Sequence, residues 1–146
     1  MIRIEAPSHI GRSDLETTFK NPRSIHNISM KKMKNEKLYY FAHPYSGKTP
    51  REERRNFENC CILAAKLMAA GYNIYAPVCH THPIHDAGPQ PWESWLALDK
   101  LFVDRCDALI LAPGWMYSEG CVLERGWFKE QEKEILEYKE IMKDEP

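Results

Sequence analysis

Two short apolar runs, Leu38–Ala42 (LYYFA) and Ala108–Ala112 (ALILA), limit most strongly what this chain folds into. Both are shorter than an ordinary helix, and ALILA has no polar position, so it reads as a strand covered on both faces. Breakers close each run, His43-Pro44 after the first and Pro113-Gly114 after the second. Segments of helical period lie between them. Thr49-Pro50-Arg51-Glu52 predicts a helix start, with Thr49 as N-cap, Pro50 at the first helical position and Glu52 completing a capping box. Phe57, Cys61, Ala64, Leu67 and Met68 follow at helical spacing, and Gly71 predicts the stop. Asn73–Val78 reads as a further strand, followed by a loop rich in His, Pro and Gly from Cys79 to Pro91. Trp92, Trp95, Leu96, Leu98, Leu101, Phe102 and Val103 predict a helix ending near Cys106. Ser118 or its neighbour opens a long final helix, with Val122, Leu123, Trp127 and Phe128 as early apolar contacts. Beyond Lys129 only Ile135, Leu136, Tyr138 and Ile141 form a thin stripe, suited to projecting or to pairing with another chain.

Strands alternating with helices predict an α/β fold built of βαβ units around a short parallel sheet. In such sheets the ligand crevice lies beyond the carboxyl ends of the strands, where strand order reverses. The segments His43–Lys48, Cys79–Pro91 and Pro113–Glu119 are expected to meet there.

The length of 146 residues suits one domain with a single core. No apolar run approaches the roughly 20 residues that span a bilayer, and Pro7, Asp14 and Glu16 interrupt any export signal. Five cysteines, odd in number and without a C-x-x-C, suit a reducing compartment, so the chain is expected to be cytoplasmic. A formal net charge of −1 gives no general attraction to membranes or nucleic acid. The first 37 residues nevertheless hold eight Lys/Arg against four Asp/Glu and show no sustained apolar period. Residues 1–36 are therefore expected to be a flexible arm, and 37–146 the folded domain. Arginines and aromatics are not clustered in that arm, which argues against nucleic-acid binding.

Four segments occur in an order that resembles the nucleoside 2-deoxyribosyltransferase-like superfamily, which includes deoxynucleoside monophosphate N-glycosidases. They are YYFAHPYSG (Tyr39–Gly47), APVCHTHPI (Ala76–Ile84), WLALD (Trp95–Asp99) and CDALILAPGWMYSEGCVLE (Cys106–Glu124). The resemblance implies a flavodoxin-like or Rossmann-like three-layer sandwich, forming a homo-oligomer that is dimeric or higher. It implies Glu124, in Ser118-x-Gly120-x-x-x-Glu124, as the nucleophile or its hydrolytic equivalent. It also implies Asp99 as a second carboxylate near base and sugar, and Tyr40 as the residue that orients the glutamate. His43, Pro44, Tyr45, His80, His82, Gly114, Trp115, Ser118 and Gly120 would contact a nucleoside or nucleotide, with no cofactor and no metal. One departure stands out: the family continues with a Gly-Lys-Pro-Val type strand after its last motif helix, where this chain reads as charged helix.

Those residue types suit N-glycosidic bond cleavage. Positive charge builds on C1′ and the ring oxygen, where a carboxylate stabilises it or attacks. Negative charge builds on the departing base, where an acid relieves it by proton donation. Asp99 serves as that acid near neutral pH only if burial or a like charge raises its pKa. The turn into the final helix offers free backbone N–H groups and a Ser118 hydroxyl to a phosphate or 5′-oxygen, with Arg51, Arg54 or Arg55 as possible assistants. The Ser-x-Gly turn favours hydrolysis over transfer, by likeness to the nucleotide-hydrolase branch.

Two motifs point elsewhere. Ala42-x-x-x-x-Gly47-Lys48-Thr49 mimics a P-loop, but Pro50 disfavours helical geometry at Thr49 and Pro44 removes a loop N–H. His80-x-His82-x-x-His85-Asp86 has metal-ligand spacing but lacks further distant ligands. The competing reading from another class is a non-catalytic nucleotide-binding or sensing module using the same crevice.

Overall fold

The structure is a computed structural model, and it describes residues 36–144. The expected amino-terminal arm falls outside these apart from its last residue. In chain order the elements are β1 (Leu38–Ala42), α1 (Pro50–Ala69), β2 (Asn73–Tyr75), α2 (Pro77–Ala87) and α3 (Trp92–Arg105). There follow β3 (Ala108–Leu111), a 3-10 turn (Trp115–Tyr117), α4 (Glu119–Glu130), β4 (Glu134–Glu137) and the short α5 (Tyr138–Ile141). The strands form one all-parallel sheet in the order β2-β1-β3-β4, so the fold is the expected α/β three-layer sandwich. Chain progress reverses direction across the sheet between β1 and β3, which is the topological switch point.

The two apolar runs become the central strands because both their faces are covered. Tyr40, Phe41, Leu109, Ile110 and Leu111 are fully buried, each worth about 1.5–3 kcal/mol on leaving water. Alternate residues supply two cores. Tyr39, Phe41, Ala108 and Ile110 pack with Phe57, Cys60, Leu67 and Val78 on one face. Tyr40, Ala42, Leu109 and Leu111 pack with Val103, Cys121 and Phe128 on the other.

Helix α1 starts and stops on local signals. Thr49 is extended and its hydroxyl accepts from Glu52 N–H at 3.2 Å. The Glu52 carboxylate reaches one residue further back than a capping box requires, accepting from Lys48 N–H at 2.6 Å. At the other end Gly71 adopts φ +97°, Gly71 N–H donates to Met68 O and Tyr72 N–H to Leu67 O, a Schellman stop. The buried stripe passes through Cys60, and Met68 is exposed, so the stripe is rotated from the one expected through Cys61 and Met68.

Two expectations are corrected. The strand read over Asn73–Val78 ends at Tyr75, and Pro77 opens α2 across the stretch read as a loop. Proline fits the first helical position, and burial of Pro77, Val78 and Thr81 holds the helix despite Pro83 inside it. The final helix does not run on: it stops at Glu130, and Glu134–Glu137 pairs with β3 as a fourth parallel strand. Glu132 takes the left-handed conformation at φ +54°, with Lys133 N–H bonded to Phe128 O, so the stop has Schellman geometry without its usual glycine. Ile135, Leu136, Tyr138 and Ile141 thus pack within this chain.

Candidate active site

A cavity of about 440 Å³ opens beyond the carboxyl ends of β1 and β3, a size suited to a small-molecule ligand. The three segments expected to converge all contribute to it, through His43–Ser46, His85 and Gln90, and Tyr117–Glu119. Its distinctive groups are two carboxylates carried by different helices on the same side of the sheet.

Glu124 reaches the cavity because α4 starts where it does. The Ser118 hydroxyl caps the helix by accepting from Cys121 N–H at 3.3 Å. Cys121, Glu124 and Phe128 then form its buried face, so a carboxylate occupies a position otherwise filled by core residues. Only 6% of Glu124 is exposed. Burial pushes its carboxyl up to about 8, and the Asp99 charge adds to the rise. The nearby Tyr40 hydroxyl opposes that rise by favouring the carboxylate. The contact falls short of full hydrogen-bond geometry, so Tyr40 Oη and Glu124 Oε2 are both buried without a well-formed partner. Such orphaned atoms are costly in a core, and a bound ligand would satisfy them.

Asp99 lies on a face of α3 that turns Trp92, Trp95, Leu96 and Asp99 toward the cavity at helical spacing. Burial raises its carboxyl to about 7. Its basic neighbours in the chain are engaged elsewhere: Lys100 Nζ pairs with Asp104 at 2.6 Å, and Arg105 donates to Leu101 O at 2.8 Å. Tyr40 is wholly buried on β1, and its phenol is held well above the usual range by burial first and then by the charges of Glu124 and Asp99.

The opposite wall is held by α1. Asn56 donates to Tyr45 O at 2.9 Å and Asn59 to His43 Nε2 at 2.9 Å. His43 Nδ1 donates to Pro44 O at 2.7 Å, so both ring nitrogens are occupied in the neutral form, and burial lowers its pKa.

Of the residues expected at the site, Glu124, Asp99, His43, Pro44, Tyr45, Ser118 and Gly120 line the cavity, with Tyr40 directly behind the carboxylate. Four do not line it. His80 is exposed. His82 is bonded to the Tyr45 hydroxyl at 2.8 Å and stacked on Phe57 at 4.4 Å, a supporting position behind the wall. Gly114 supplies the left-handed turn, φ +82°, that begins the 3-10 segment. Trp115 turns to β4, its indole donating to Glu137 at 2.9 Å and its ring covered by Arg125. The arginines of α1 are also absent from the lining, and Glu53 faces the cavity instead.

Glu53, Thr81, His85, Trp95 and Tyr117 also line the cavity; Thr81, His85 and Tyr117 lie in the segments expected to converge, but sequence reasoning names none of the five as a site residue. For Trp95 the signal was available, four positions before Asp99 on one helix face. His85 Nδ1 accepts from the Trp95 indole at 3.1 Å, which fixes both. The spacing His80-x-His82-x-x-His85 makes no metal centre, and among the described residues no group of three His, Cys, Asp or Glu is arranged to hold one. Thr49 is extended, which also removes the P-loop reading.

The family of proteins described as "Domain of unknown function (DUF1937)" matches residues 37–140, well over half of the chain. The chain belongs to the DUF1937 family. No curated protein matches it at a significant level. The matched span of the DUF1937 domain contains every strand and every cavity-lining residue named above. No helix among the described residues is long and apolar enough to cross a membrane.

Proposed function

We propose that this DUF1937 domain cleaves, or exchanges, the N-glycosidic bond of a nucleoside, with Glu124 acting at C1′ and Asp99 at the base. The observation that carries the reading is the juxtaposition on one cavity of a buried carboxylate, Glu124, and a half-buried one, Asp99, neither with a basic partner among the described residues and both raised toward neutrality. Acids of this kind share a proton near neutral pH, and in the empty cavity the weaker acid, Glu124 at about 8, holds it in preference to Asp99 at about 7. Positive charge developing at C1′ draws Glu124 into its ionised form, helped by the Tyr40 hydroxyl. The remaining proton is then on Asp99, beside the departing base.

In the first step the C1′–N bond breaks, its electron pair passing to the base nitrogen, which takes the Asp99 proton. Glu124 either attacks C1′ or holds the cation until water adds. Water gives the free sugar and returns its proton to Asp99; a second base gives transfer instead. Tyr45, Trp92, Trp95 and Tyr117 offer apolar rings for the heterocycle. Among the described residues no Lys or Arg lines the cavity, whereas Glu53, Asp99, Glu119 and Glu124 do. That balance favours a nucleoside over its doubly charged 5′-monophosphate.

The test is a panel of nucleosides and their 5′-monophosphates assayed for free base, with Glu124→Ala in parallel. Turnover of at least one nucleoside, lost in the variant, is the expected result. Equal turnover by the variant, or binding with no turnover by either protein, overturns the reading; the latter outcome leaves a non-catalytic binding module.

A further inference from the structure

Three of the chain's cysteines, remote from one another in two cases along the sequence, meet between α1 and α2. Cys79 Sγ lies 3.3 Å from Cys61 Sγ and 3.7 Å from Cys60 Sγ. A disulfide needs about 2 Å between the sulfurs, so the first pair is one small side-chain adjustment from bonding. Cys60 is fully buried, whereas Cys61 and Cys79 are each partly exposed and so within reach of a small oxidant.

We propose that Cys61 and Cys79 form a reversible, peroxide-driven disulfide that ties α1 to the helix supplying Pro77, Val78 and Thr81 to the cavity wall. The inference is independent of the glycosidase reading. Its chemistry follows from the local arrangement. Cys79 stands in the first turn of α2, where the helix dipole favours a thiolate. Hydrogen bonding within the three-thiol cluster lowers the Cys79 pKa to about 7, while burial pushes Cys61 up to about 12. Cys79 is therefore the attacking sulfur and Cys61 the resolving one.

The Cys79 thiolate attacks one oxygen of hydrogen peroxide, breaking the O–O bond. Cys79 becomes a sulfenic acid, and the departing hydroxide takes a proton and leaves as water. Cys61 then attacks the sulfenic sulfur, forming the S–S bond and releasing a second water. Two thiols are oxidised by one peroxide, and a dithiol reductant reverses the step.

The full-length reduced chain is titrated with hydrogen peroxide, alkylated, digested and mapped by mass spectrometry. The expected product is a Cys61–Cys79 cross-link, formed about tenfold or more faster than oxidation of Cys106 or Cys121, and removed by dithiothreitol. The oxidised chain should melt about 5 °C or more above the reduced one. Cys79→Ser should abolish the fast phase of peroxide consumption, and the double variant Cys60→Ser/Cys61→Ser, which removes both neighbouring thiols, should leave a dimedone-reactive sulfenic acid on Cys79. All five thiols remaining alkylatable, or a cross-link that excludes either residue of the pair, overturns the proposal.

Discussion

Asp99 on α3 and Glu124 on α4 face one cavity, and the Asp99 charge adds to burial in holding the Glu124 carboxyl at about 8. Neither has a basic partner among the described residues, which separates the pair from an ordinary structural salt bridge. Glu124→Gln keeps the size and removes the charge. It should lower kcat by about 10³-fold or more while the chain still binds nucleoside, as measured by steady-state kinetics and calorimetry.

Asp99→Asn removes both the donor and the repulsion. The kcat for ordinary bases should fall by about 10²-fold, with a much smaller loss for a substrate whose base leaves without protonation. The lower limb of the pH–rate profile should also move to lower pH, because Glu124 ionises more readily once the neighbouring charge is gone.

Tyr40→Phe separates stability from electrostatics. The hydroxyl is buried without a well-formed partner, so its loss should leave stability unchanged or raise it by up to about 1 kcal/mol in denaturant melts. The same change removes a group that favours the Glu124 carboxylate, so the acid limb of the pH–rate profile should move upward.

Gly120→Ala tests the space in front of the carboxylate. A Cβ there would sit 3.8 Å from Glu124 Oε1 and 4.0 Å from Ser118 Oγ, an ordinary contact with no clash. Alanine also favours the helix by up to about 1 kcal/mol. The variant should therefore be at least as stable as the parent, yet show a raised KM because the methyl intrudes where substrate lies.

Stability should depend on pH through the same pair. An acid whose pKa is raised in the folded chain binds protons there that the unfolded chain has released. For Glu124 that stabilisation is complete below its ordinary value of 4.5 and is lost as pH rises through about 8. Asp99 behaves likewise between 3.8 and about 7. Melting temperature should thus fall from about pH 5 to about pH 8, and Glu124→Gln should flatten that fall.

Local signals carried much of the fold. Thr49 and Ser118 cap their helices because a hydroxyl three residues before a free N–H needs no distant help. Gly71 stops α1 for an equally local reason, its tolerance of positive φ. The site residues nearest these signals, Ser118, Gly120 and Glu124 on α4 and His43 to Tyr45 after β1, lie on the cavity. Where no local signal exists, the sequence points the wrong way. Glu132 turns the chain without a glycine, and Pro83 sits inside a helix that burial maintains. His82 and Trp115 carried chemically attractive side chains, but Phe57 and Glu137 hold them away from the cavity.

By itself the sequence determined the two central strands, the caps and stops of α1, and the opening of α4, since each depends on side chains within a few residues. Only tertiary structure decided that Glu134–Glu137 is a strand, because an isolated segment of that composition has no ladder until β3 offers one. It also decided which acids share the cavity and how far each is withdrawn from water, and with that their pKa. Desolvation is a property of everything packed around a group, and no short stretch of chain contains it.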